Sequence, residues 1–79
     1  MNRLDAYEII TERLKQLSSL DSKKLFVKVG AGLTELSKSS KGINYEMNFK
    51  LNGKMLQGSI HECGSQYFEL MEESIALNS

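Results

Sequence analysis

Residues 43–62 read INYEMNFKLNGKMLQGSIHE, and this stretch decides the fold. Apolar side chains occupy every second position from Ile43 to Leu51, with Asn, Glu or Lys between them. An alternation with a period of two is typical of a strand that buries one face and exposes the other. A second run from Lys54 to Glu62 follows after Asn52-Gly53. The stretch therefore predicts a β-hairpin with one apolar face.

The turn of this hairpin sets the predicted pairing of its two strands. Asn52-Gly53 tolerates the positive φ angles of a type I′ turn, which is a common two-residue hairpin loop. With that loop, Phe49 pairs with Leu56 and Met47 pairs with Gly58, so the two apolar sets meet on the same face. Because Gly58 has no side chain, we expect a hollow there that a covering helix approaches.

The residues before the hairpin predict one helix and one strand. A helix is expected from about Leu4 to Leu17, with Asn2 as its N-cap, because apolar residues recur at spacings of three and four. These residues are Leu4, Tyr7, Ile10, Leu14 and Leu17. Leu25–Val29 (LFVKV) is short and β-branched and predicts a strand, which Gly30-Ala31-Gly32 ends. Residues 33–36 suit either a returning strand or a single helical turn.

The last segment, from about Ser65 to Leu77, predicts a second helix with a wide apolar face. The expected fold is α+β, in the order helix-strand-strand-strand-helix, with both helices on one face of a small antiparallel sheet. We expect residues 1–79 to form a single domain, since 79 residues leave no room for a second core.

The predicted element order is similar to that of the double-stranded RNA-binding domain, and its helix–hairpin–helix part is similar to small phage head–tail connector proteins. The RNA-binding family opens its last helix with lysines that clamp phosphates. In this chain residues 63–73 (CGSQYFELMEE) contain no Lys or Arg, so we assign it to neither family.

Charge and composition narrow the classes of function. Ten Lys and Arg balance ten Asp and Glu, which argues against a strongly basic nucleic-acid module. The charge is nevertheless uneven, at −2 over residues 1–12, +6 over residues 13–54 and −4 over residues 55–79. Cys63 is the only cysteine, which suits a reducing, cytoplasmic location. No apolar run is long enough for a membrane span, and we expect no membrane partner.

Two short motifs contain residue types that are found in catalytic, metal or phosphate sites. His61, Glu62 and Cys63 are the only cluster of reactive residue types, but a structural zinc site needs four ligands and a thiolate nucleophile needs an oriented base. Gly30-Ala31-Gly32 lacks the third glycine of a dinucleotide-binding loop, because position 35 is Glu35. We therefore expect no enzymatic activity, no catalytic residue, no metal and no cofactor.

The predicted binding site lies on the uncovered face of the sheet. Its candidate residues are Phe26, Lys28, Lys50, Met55 and Gln57, which combine exposed apolar groups with cations and an amide. Aromatic and Met side chains are common interface anchors, and a small domain gains buried area by pairing with another copy. The sequence predicts a non-enzymatic regulatory, accessory or inhibitor protein, of the kind found in phages and mobile elements, that binds a protein partner or a second copy as a homodimer.

The alternative function is nucleic-acid binding through Lys28, Lys50 and the loop Ser37–Gly42. Counterion release rewards each cation that contacts a phosphate, so this function requires the lysines to share one surface. The competing interpretation is that scattered lysines keep a small domain in solution and protect its strand edges.

Overall fold

The computed structural model describes residues 1–64 and 69–77. It has two helices followed by a four-stranded antiparallel sheet in the order β1-β2-β3-β4, so the α+β class is confirmed. The elements are α1 (Arg3–Ser18), α2 (Ser22–Val29), β1 (Leu33–Lys38), β2 (Asn44–Asn52), β3 (Met55–Glu62) and β4 (Glu69–Ala76). Both helices pack on one face of the sheet. Within the described residues, neither helix is long and apolar enough to cross a membrane.

Helix α1 begins and ends close to where the sequence predicts. The side chain of Asn2 caps it by accepting a hydrogen bond of 2.8 Å from the backbone N–H of Asp5. Its buried stripe is Ala6, Ile10, Leu14 and Leu17. Leu4 and Tyr7, which the sequence placed in that stripe, are 65% and 47% exposed. The stripe was therefore predicted correctly only in its last three members, because small Ala6 takes the place of the two larger residues in the first turns.

The hairpin of β2 and β3 is confirmed, but its pairing is shifted by two residues. Phe49 lies opposite Gly58 and Met47 lies opposite Ile60, not opposite Leu56 and Gly58. The loop is Gly53-Lys54, in which Gly53 alone has a positive φ of 62°. A positive φ at the first central residue only is typical of a type II′ turn. Since a shift of two keeps every side chain on its predicted face, the apolar face is the expected one.

The segment Leu25–Val29 is the second half of helix α2, so the predicted strand is wrong. Asp21 caps this helix by accepting a hydrogen bond of 2.9 Å from the backbone N–H of Lys24. Leu25 and Val29, one turn apart, are buried in the core. A spacing of four residues places Leu25 and Val29 on the same side of a helix, but it also places them on the same face of a strand. The caps at Asp21 and Gly30 are those of a helix.

Residues 33–38 form strand β1, which pairs with β2 and settles the choice between a strand and a helical turn. The predicted last helix is also wrong within the described residues, because Glu69–Ala76 is strand β4 and pairs with β3. Residues 65–68 of the predicted helix lie outside the described part of the chain. The order is thus two helices and then four strands, and the similarity in element order to the double-stranded RNA-binding domain does not hold.

The hollow predicted at Gly58 is where α1 crosses the sheet. A Cβ atom added at Gly58 would lie 2.9 Å from two ring carbons of Phe49 and 3.1 Å from Cδ1 of Ile10. Phe49 and Ile10 are both almost completely buried. The glycine therefore lets the Phe49 ring and the helix lie directly on the β3 backbone.

Candidate binding surface

The five residues predicted as a binding site are divided between two sides of the molecule. Lys50, Met55 and Gln57 lie on the uncovered face of the sheet, where Lys50 and Gln57 are direct cross-strand neighbours. Phe26 and Lys28 lie on α2, which packs against the covered face. Their predicted placement beside Lys50 was wrong because the segment that carries them is a helix.

The uncovered face of the sheet is mainly polar. Thr34 donates a hydrogen bond of 2.7 Å to the side chain of Asn48, which in turn donates one of 3.1 Å to Glu46. A shallow depression of about 230 Å³ lies beside them, with Lys50 and Gln57 among its lining residues. The other polar side chains that line it are Asn48, Ser59 and Glu72. Met55, at 36% exposure, adds a modest apolar contact at the end of this face.

Helix α2 displays a different surface, which we call the α2 surface: Lys23, Lys24, Phe26, Val27 and Lys28. It exists because Leu25 and Val29 anchor the helix in the core and turn the residues between them outward. Phe26 is 68% exposed and Val27 is 79% exposed. Contiguous exposed apolar patches mark interaction sites, and Phe26 and Val27 place two exposed apolar side chains next to each other.

The electrostatics of the α2 surface are dominated by its lysines. The helix contains three lysines and no acid between Ser22 and Val29. Within the described residues none of these lysines forms an ion pair. The charge of Lys28 acts on Glu35, whose pKa is held below its usual range first by hydrogen bonds from Arg13 and to a smaller extent by Lys28. The positive charge of α2 is therefore largely uncompensated.

An ion pair links α1 to the edge strand β1. The guanidinium of Arg13 donates two hydrogen bonds to the carboxylate of Glu35, of 2.8 Å and 2.6 Å. The same contact, mainly through its hydrogen bond, raises the pKa of Arg13. Both side chains are about three-quarters buried. This bidentate contact makes Arg13 the main partner of Glu35, and the charge of Lys28 has a smaller effect on that carboxylate.

The remaining reactive residues are spread over the end of β3. His61 lies on the uncovered face opposite Glu46. Cys63 follows the strand, and its backbone N–H donates a hydrogen bond of 2.9 Å to the carbonyl of Asn44. In the described part of the chain, no three His, Cys, Asp or Glu side chains are grouped closely enough to hold a metal ion.

Comparisons with protein-family models, curated protein sequences and solved structures found no match. The sequence did not predict the α2 surface as one site, because Phe26, Val27 and Lys28 were assigned to a strand and Lys23 and Lys24 to the segment before it. The signal that could have found it is Asp21, an N-cap residue followed by Leu25 and Val29 at helical spacing.

Proposed function

We propose that this protein is a small non-enzymatic module that binds another protein through the α2 surface. One observation carries the proposal. Among the described residues, Phe26 and Val27 are the most exposed apolar pair that is adjacent in sequence, and the three lysines around them have no ion-pair partner in that part of the chain. An aromatic side chain that a partner buries contributes about 1.5–3 kcal/mol, so Phe26 is an effective anchor.

The lysines indicate the character of the partner. Complementary charge speeds the encounter of two proteins and disfavours partners of the same sign. Lys23, Lys24 and Lys28 therefore favour a partner whose contact surface is acidic around an apolar centre. Such a role is that of an accessory or inhibitor protein, which acts by occupying a surface of its target.

Nucleic-acid binding receives less support from the arrangement of the lysines. Lys28 belongs to the helical side and Lys50 to the uncovered face of the sheet, so the two lysines do not share one surface. Lys41 in the loop lies 3.3 Å from the carboxylate of Asp5, which partly neutralises it. Because this alternative requires Lys28, Lys50 and the loop to contact phosphates on one surface, their separation weakens it.

Site-specific photo-cross-linking tests the proposal. A photoreactive phenylalanine analogue is placed at position 26, and at position 55 on the uncovered face as the matched control. We expect a discrete cross-linked protein from position 26 and none from position 55. The affinity of the purified partner for the wild type and for Phe26→Ala is then measured, with a loss of about tenfold expected, which corresponds to about 1.4 kcal/mol.

Three results would contradict the proposal. The first is a cross-link obtained from position 55 alone, and the second is an affinity that Phe26→Ala leaves unchanged. The third is an amide-resolved titration with mixed DNA and RNA in which Lys28 and Lys50 shift together at low salt and return at physiological salt. That salt response is the behaviour of phosphate binding and would favour the nucleic-acid alternative.

A further inference from the structure

Strand β1 is one edge of the sheet, and within the described residues nothing pairs with its outer side. It pairs with β2 from Leu33 to Lys38 without a bulge. The unpaired N–H and C=O groups of an edge strand are a template for another strand, and proteins often block such edges with proline or a bulge. Because β1 has neither, its outer backbone is open to pairing.

Two hydrogen bonds show which backbone groups of β1 face outward. One position beyond the strand, the N–H of Ser39 donates 2.8 Å to the carbonyl of Ile43, so Ser39 bonds toward the β2 side. The carbonyl of Asn44, the β2 residue opposite Lys38, instead accepts 2.9 Å from Cys63 on the β3 side. Residues along an antiparallel pair alternate between these two directions. The residues of β1 whose N–H and C=O groups point to the free edge are therefore Thr34, Leu36 and Lys38.

Leu36 is a large apolar side chain at the centre of this open edge. It is 72% exposed and lies on the uncovered face, opposite Glu46 of β2. The strand has one base, Lys38, and one acid, Glu35, which is bound by Arg13. Its net charge is therefore zero, so a second β1 strand is not repelled by it.

The covered side of the edge has space for the side chains of another strand. A depression of about 520 Å³ adjoins β1 there, with Glu35 and Ser37 among its lining residues. Thr34 and residues 36–38 are exposed, so neither helix closes over the edge.

We infer that two copies of this chain pair their β1 strands antiparallel, around a two-fold axis that passes beside Leu36. In this register all three outward-facing residues are paired, Leu36 with the partner's Leu36 and Thr34 with the partner's Lys38, and each pair exchanges two backbone hydrogen bonds. A register shifted along the strand leaves at least one of them unpaired. The two leucines cover each other on the uncovered face, and Lys38 does not face its own copy.

This dimer goes beyond the proposed function, because the β1 edge and the α2 surface share no residue. The two-fold contact closes on itself, so association stops at two copies, each of which keeps its own α2 surface.

The other edge of the sheet, β4, is less suited to the same pairing. It has Glu72 and Glu73 side by side and no base between Glu69 and Ala76. Two such strands would bring like charges together, which destabilises the contact. Pairing of β1 with β4 of the next copy places Lys38 near Glu72, but that contact does not close and would extend into a filament.

NMR of the wild type tests the register directly. In a concentrated mixture of isotope-labelled and unlabelled copies, filtered spectra report only contacts between copies. We expect a contact between the Hα atoms of Glu35 and Ser37, which face each other as a non-hydrogen-bonded pair. Two such residues in one extended strand lie about 6.6 Å apart, so a single chain does not produce it. Amide exchange at Leu36 should slow as the concentration rises, whereas exchange at Glu35 and Ser37, whose N–H groups bond to β2, should not change.

Sedimentation velocity over a range of concentrations compares two variants. Leu36→Lys places two lysines opposite each other across the two-fold axis, where like charges are destabilising. We expect its dimer to dissociate at least about tenfold more readily than that of the wild type, which corresponds to about 1.4 kcal/mol. The matched control is Met55→Lys, the same kind of change on the same face but on the interior strand β3. We expect this control to stay within about twofold of the wild type. Circular dichroism verifies that both variants are folded.

Four outcomes overturn the inference. They are a wild type that is monomeric at every concentration, a Leu36→Lys variant that dimerises as the wild type does, an equal loss in both variants, and association that continues beyond two copies. The third would place the contact on the uncovered face, and the fourth would indicate pairing of β1 with β4. If Leu36→Lys does not fold, the Glu35–Ser37 contact in the wild type decides, and its absence from a dimer overturns the register.

Discussion

Replacing Gly58 by alanine tests the packing of α1 on the sheet most sharply. The new Cβ atom would lie 2.9 Å from two carbons of the Phe49 ring, closer than such contacts occur in proteins. Neither Phe49 nor Ile10, which lies 3.1 Å from the same point, has space to move toward solvent, because both are almost completely buried. The helix and the ring must therefore shift together.

The magnitude follows from two opposing contributions. Overpacking a core with one extra carbon costs about 1–3 kcal/mol. Alanine can adopt the φ of Gly58, and it restricts the unfolded chain more than glycine does. This loss of conformational entropy in the unfolded chain stabilises the folded state by about 0.4–1 kcal/mol. The net loss in the free energy of unfolding is about 1–2 kcal/mol, which for a domain of this size lowers the melting temperature by roughly 4–8 °C per kcal/mol.

Thermal and urea unfolding followed by circular dichroism measure this loss. The matched control is Gly64→Ala, because no atom of residues 1–64 or 69–77 lies within 4 Å of a Cβ atom at Gly64 and its φ is also accessible to alanine. We expect the control to stay within about 0.5 kcal/mol of the wild type. A Gly58→Ala protein as stable as the control would refute the close contact between Phe49, Ile10 and the β3 backbone.

Three further predictions concern the ion pair, the turn and the α2 surface. Because the pKa of Glu35 is lower in the folded protein than in the unfolded chain, its ion pair stabilises the fold fully above the unfolded pKa, and this stabilisation is lost as the pH falls through the folded pKa. The free energy of unfolding, measured from neutral to acid pH, should therefore fall by about 0.5–1 kcal/mol more in the wild type than in Glu35→Gln. Gly53→Ala should destabilise the hairpin by about 1 kcal/mol in urea unfolding, because Gly53 has a φ of 62°, and an unchanged midpoint would contradict the turn. Phe26→Ala should unfold within about 0.5 kcal/mol of the wild type while weakening the binding of the partner protein, and a large loss of stability would place Phe26 in the core.

The sequence predicted best where one local pattern and the tertiary structure agree. Alternation from Tyr45 to Leu51 identified the buried face of β2, and this held although the loop moved from Asn52-Gly53 to Gly53-Lys54. A shift of two residues changes partners without changing faces, so the core prediction tolerated the error in register. The N-cap at Asn2 and the α+β class were predicted for similar local reasons.

The sequence predicted poorly where local preference and tertiary pairing conflict. Glu, Leu and Met between Glu69 and Met71 favour a helix, but the chain there pairs with the free edge of β3. Met71, Glu73 and Ile75 lie on the covered face of β4. Because Glu73 is charged, the sequence lacks the regular alternation of apolar and polar residues that is typical of a strand. In α2 the β-branched Val27 and Val29 favour a strand, and the core contacts of Leu25 and Val29 override that preference.

The candidate site was predicted only in part for the same reason. Phe26 and Met55 were expected outside the core, and both are exposed. The side of the molecule on which Phe26 lies depends on whether residues 25–29 form a strand or a helix, and the predicted strand placed Phe26 and Lys28 on the wrong surface.

The measurement that tests the α2 surface most directly is an amide-resolved NMR titration of the full chain with the partner protein that position 26 captures. As the partner is added, we expect shifts in residues 23–28 and none at Lys50 or Gln57. Shifts confined to Lys50, Met55 and Gln57 would contradict the account and place the contact on the uncovered face of the sheet.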